Sequence, residues 1–110
     1  DSGRRSDDEV ERAIRDAEQY AAQDGLRRDF MAARDEAQSL LSEADRALAQ
    51  VGKQLEKDEK KQIKADAAAL RKLVGKKLDA LSAADVDELR SAKDRLERSS
   101  ARARTLVSRD

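Results

Sequence analysis

The sequence predicts an all-α protein whose N-terminal helix projects from, or is continuous with, an antiparallel three- to four-helix bundle. Three observations predict it. The 110 residues include no Pro and only four Gly, and 44% are charged, with Ala, Leu, Lys, Arg, Glu and Asp dominating. Apolar residues recur at alternating steps of mostly four and three, and strand-like alternation is absent. A formal net charge of zero, together with this sustained periodicity, argues against the disorder that a highly charged chain invites.

The elements follow in order. Residues 1–5 carry no periodicity and read as a flexible lead-in. Ser6-Asp7-Asp8-Glu9 has the form of a capping box that starts the first helix, with Asp7 and Asp8 where the helix dipole favours negative charge. The stripe Val10, Ile14, Ala17 and Ala21 carries this helix to residue 23 or 24. A second stripe follows through Leu26, Phe30, Ala33, Ala37, Leu40, Ala44, Leu48, Val51 and Leu55. At about 100° per residue the two stripes are offset by roughly half a turn. One helix cannot bury both faces in one core. Either the chain bends near Gly25 and the first stripe folds back as ordinary core, or that stripe docks on a surface outside the bundle. The absence of a strong loop signal between the stripes favours docking.

Gly52 marks a helix end, and Asp58 and Glu59 open the next helix after a polar run. That helix carries Ile63, Ala67, Leu70 and Val74. Leu78 and Leu81 are nearly in phase beyond Gly75, so it stops at Gly75 or continues to about Ala80. Ser82-Ala83-Ala84-Asp85 supplies another cap, and Val86, Leu89, Ala92, Leu96, Ser99, Ala103 and Leu106 form the last stripe. Short connections favour antiparallel neighbours. The expected division is residues 1–5 as lead-in, 6–25 as first helix and hinge, and 26–110 as the bundle. Leu40, Leu48, Ile63, Leu70, Leu89 and Leu96 are expected inside, and Tyr20 and Phe30 are taken as packing residues.

Composition narrows function. With no Cys and no His, disulfides, Cys/His zinc sites, thiol nucleophiles and imidazole bases are excluded. There is no Gly-rich phosphate loop and no nucleophile elbow, and the carboxylates at residues 7–9 are explained by helix capping. The chain is therefore expected not to be an enzyme and to bind no cofactor or metal. No apolar run reaches the ~20 residues of a bilayer span, and the lack of Cys fits a reducing compartment, so a cytoplasmic location is expected. Arg95, Arg98, Arg102, Arg104 and Arg109 form a locally basic stretch. At a helix C-terminus such residues complement the dipole, and no nucleic-acid partner is expected. The first residue is Asp rather than Met, which suggests a piece of a longer chain.

At residues 6–24 the sequence becomes recognisable. Ser6-Asp7-Asp8-Glu9-Val10-Glu11-Arg12, followed by Arg15-Asp16-Ala17-Glu18, resembles the start of the C-terminal helical lid in the heat-shock protein 70 (DnaK) family of chaperones. Ala33-Arg34-Asp35-Glu36 resembles a segment of the second lid helix, and the later helices match the lid bundle in length and order. The resemblance covers nearly the whole chain, with its specificity concentrated in residues 6–24.

The resemblance implies a lid that closes over a peptide-binding β-sandwich, under the control of an ATPase domain outside this chain. ATP would be a cofactor of that domain only. It implies that Val10, Ala13 and Ile14 rest on the β-sandwich. Asp24 would pair with a basic residue near the hinge, although alone it reads as a solvated carboxylate. Gln38, Leu40, Leu41 and Ser42 would form the closure face. The family's acidic–histidine latch is replaced here by Gln38 and Ser42, and the link from Leu73 to Asp85 is longer than in common bacterial lids. The implied partners are the chain's own β-domain and, through it, unfolded polypeptides. The bare first stripe also predicts self-association through the first helix. A generic helical interaction module or coiled coil is the alternative, but a coiled coil keeps one seam in phase over several heptads.

Overall fold

The computed structural model describes the backbone of residues 2–108 and the side chains of residues 7–108. It contains three α-helices and, among the described residues, no strand: α1 (Ser2–Val51), α2 (Lys57–Val74) and α3 (Ala83–Ser108), with a 3-10 turn at Gly52–Gln54 after α1.

α1 is a single helix of 50 residues that passes Gly25 without interruption. A mid-helix Gly costs ~1 kcal/mol relative to Ala, which strong helix formers on both sides outweigh. A Cβ at Gly25 would meet nothing within 4 Å, so no close backbone approach requires the glycine. The chain therefore does not fold back at residue 25, and the first stripe stays on the same helix as the second. The expected helix start is corrected, because the backbone is already helical at Ser2. Asp1, Arg109 and the Ser6 side chain, on which the first capping box rests, lie outside the described residues and side chains.

Ion pairs between helices trace the topology. Asp45 of α1 meets Arg71 of α2, and Glu59 of α2 accepts from Arg102 Nε of α3 at 3.0 Å. Lys93 and Arg104 of α3 reach Glu36 and Glu43 of α1 at 2.9 and 3.8 Å. Each consecutive pair of helices is antiparallel, so α1 and α3 run in the same direction. Inside, Phe30, Ile63, Leu70, Leu89 and Leu96 are almost completely buried. α1 alternates large residues, Phe30, Leu40, Leu41 and Val51, with Ala33, Ala37, Ala44 and Ala47, which let the other helices approach its backbone closely. Leu48 is half-buried at the margin rather than fully inside.

Of the two ends expected for the second helix, the stop at Gly75 is the one formed: α2 ends at Val74, and Leu78 and Leu81 pack against the core from the link that follows. Two further expectations are corrected. In α3 the buried place is taken by Ser100, not Ser99, and the Ser100 hydroxyl donates to the Leu96 carbonyl at 2.6 Å, so burial leaves it satisfied. Tyr20 is not a packing residue: it is 77% exposed.

The cap at the start of α3 is formed as expected. The Ser82 amide donates to the Asp85 carboxylate at 2.8 Å, and the Asp85 amide donates back to Ser82 Oγ at 3.3 Å.

The molecule measures 78 × 22 × 17 Å, with a radius of gyration of 21.1 Å. A compact domain of this length has a radius near 13 Å. The difference is the N-terminal part of α1, which extends beyond the bundle as an arm.

Candidate interaction surface

The arm and the bundle share one helix but present opposite faces. Leu26, Phe30, Ala33, Ala37, Leu40, Leu41 and Ala44 look inward to α2 and α3. Val10 lies about 160° around the helix from Leu26, and every residue from 7 to 23 is exposed. Val10 and Ile14 are 54% and 51% exposed, with Ala13, Ala17 and Ala21 beside them. Contiguous apolar surface left open on a folded chain is the kind of surface through which proteins make contacts.

This arm does not need that contact to be helical. Ala, Glu, Arg and Gln dominate it, and the costly nucleation of the helix is already met by the packed part of α1.

Beyond the arm, the outward face of α1 continues through Asp24, Arg28, Met31, Gln38 and Ser42, all on the side away from the bundle at about 100° per residue. Gln38 and Ser42 are exposed, and Met31 is 40% exposed. Leu40 and Leu41, which the resemblance groups with them on one closure face, are buried in the core at 8% and 7% exposure, Leu40 as its place in the second stripe predicts. Adjacent leucines straddle the inward stripe, so both are drawn into the core. The solvent-facing part of that group is therefore Gln38 and Ser42.

Asp24 sits at the junction of arm and bundle, half-buried, and pairs with Arg28 one helical turn on at 3.1 Å. That exposed pair within one helix contributes little energy. Beside it, Gln23 Nε2 donates to the Leu81 carbonyl at 3.4 Å, tying the root of the arm to the link between α2 and α3. Gln23 was not legible as a contact, because its partner is 58 residues away and no local pattern joins them.

Electrostatics fix the base of the bundle. The Lys76 ammonium and then the Ser82 amide hold the Asp85 carboxyl below its usual range. Hydrogen bonds from Lys93 and Arg102 do the same for Glu36 and Glu59. No group of acidic residues among those described could hold a metal ion. No described helix is long and apolar enough to cross a membrane. The described surface presents an apolar strip on an arm whose helix continues into the bundle.

Residues 1–105 match the family described as Hsp70 protein. No solved structure matches the chain.

Proposed function

Because the chain belongs to the Hsp70 protein family, we propose that this chaperone-related helical module is the lid of a substrate-binding domain. In this reading it closes over a peptide-binding β-sandwich and slows the escape of bound polypeptide. The observation that carries it is the change of face along α1. A bundle that needed no partner would not leave Val10 and Ile14 bare on a helix whose other half is fully packed.

Val10, Ala13 and Ile14 rest on the β-domain, and their burial there supplies the docking energy. A fully buried aliphatic side chain is worth roughly 1.5–3 kcal/mol, so the strip holds the lid down without making it immovable. Asp24, at the root of the arm, exchanges Arg28 for a basic residue of the β-domain when the lid shuts. Such an exchange costs little, because the pair it breaks is exposed. Gln38 and Ser42 face the substrate side by hydrogen bonding, and Leu40 and Leu41 act from behind by fixing the bundle against α1. Continuity of α1 makes arm and bundle one lever, so movement at the arm is delivered to the whole bundle. ATP binding and hydrolysis belong to a separate domain in this reading, and the setting is the cytoplasm.

The test is peptide release from the β-domain with and without residues 1–110 attached. Release is expected to be slower with them, and slower than in a Val10→Lys, Ile14→Lys double variant. Equal rates in all three proteins would remove the lid reading.

A further inference from the structure

The far side of the bundle carries a groove whose chemistry mirrors the arm. It lies between α2 and α3, with a volume of about 470 Å³, and Ala69, Leu73 and Ala92 supply its apolar lining. Lys72 stands on the α2 rim and Arg95 on the α3 rim, both exposed and, among the described residues, without an ion-pair partner. Lys76 also lines the α2 side but is engaged by Asp85, and Glu88 is the one acid in the lining. The groove is thus an apolar trough with one uncommitted cation on each bank.

The arm has the opposite form. Around its Val10–Ile14 strip, Glu11 and Glu18 fall on one flank and Glu9 and Asp16 on the other, each about 80–120° from Val10. Charge is segregated more widely as well. Residues 7–24 hold seven acidic and two basic residues, whereas residues 53–77 hold nine basic and four acidic, in a chain of zero net charge. Lengths also agree: Val10 to Ile14 spans about 6 Å of helix, within the roughly 10 Å from Glu88 to Arg95 along the α3 bank, at 1.5 Å per residue.

We propose that the α2–α3 groove receives the arm of a second copy of this chain. Val10 and Ile14 enter the trough against Leu73 and Ala92, and the two carboxylate flanks face Lys72 and Arg95. Strip and groove lie on opposite sides of the molecule, so the contact is heterologous: it joins two copies head to tail and leaves one arm and one groove open at the ends of the pair. The opposite charges of arm and α2 set the register and speed the encounter more than they add affinity. The strip used is the one that the β-domain covers in the lid reading, so the two contacts compete. The pairing itself concerns this chain alone and stands or falls separately from that reading.

Sedimentation equilibrium on the full chain tests it, with circular dichroism confirming that each variant keeps its helices. The wild type is expected to dimerise with rising concentration, and less so as salt screens its surface charges. Lys72→Glu with Arg95→Glu should weaken dimerisation about tenfold or more, as should Glu11→Lys with Asp16→Lys, since either change sets like charges face to face. The chain carrying all four changes should regain it, because the charges are again opposite. A wild type that stays monomeric overturns the proposal. So does a groove variant that dimerises like the wild type, or a four-fold variant that does not recover. If Val10→Lys with Ile14→Lys abolishes dimers while the groove variant keeps them, the arms pair with each other and the groove is not the receptor.

Discussion

At the scale of single residues, the start of α3 is held by two side chains. Ser82 and Asp85 satisfy each other's backbone amides, and Lys76 at the start of the preceding link adds its charge to the same carboxylate. The cap fixes where α3 begins and hence where Leu81 enters the core. Replacing Ser82 with Ala removes the hydroxyl that accepts from the Asp85 amide, and is expected to lower stability by about 0.5–2 kcal/mol. Ser82→Gly should cost only a few tenths by the same rule. Thermal unfolding of the two variants checks both. Equal losses would mean that the cap contributes through Asp85 alone.

At the scale of elements, α1 separates packing from exposure along one uninterrupted helix. Leu70 of α2 is fully buried against the inward face of α1 and α3, so Leu70→Ala leaves a cavity and is expected to cost about 2–5 kcal/mol. Val10→Lys with Ile14→Lys touches only the arm and should change the stability of the bundle by less than about 0.5 kcal/mol. Urea unfolding followed by circular dichroism distinguishes the two. A large loss from the lysine pair would place the arm in the core and contradict the exposed strip.

At the scale of the whole molecule, ion pairs join α1 to α3, α2 to α3, and the start of α3 to the link before it. Glu36, Glu59 and Asp85 each titrate below the usual carboxylate range because a hydrogen-bonded cation favours their charged form. Their contribution is therefore fully present above the unfolded carboxylate range, near pH ~4, and is lost as pH falls through the lower folded values. Lys93 and Arg102 are raised by the same partners. The Lys93 contribution is present below the usual lysine value of ~10.4 and is lost only as pH rises through the higher folded value. The urea midpoint should accordingly fall on acidification from about pH 7 to about pH 3. A Glu36→Gln, Glu59→Gln variant should show a smaller fall, because two of the linked groups no longer titrate. An unchanged fall would assign acid sensitivity to other carboxylates.

The sequence by itself determined the helical class, the two opposed stripes, the end of α1 at Gly52 and the cap at Ser82. All of these rest on interactions within about four residues, where spacing along the chain is spacing in space. The tertiary structure alone decided whether the chain bends or continues at Gly25, since a cost of ~1 kcal/mol is too small for one residue to settle it. It also decided that Ser100 rather than Ser99 is buried and that Leu78 and Leu81 leave the helix. In the first case two neighbouring positions fit the local period equally well. The choice falls to whichever side chain the opposite helix can cover, and the identity of that helix is a property of the folded chain.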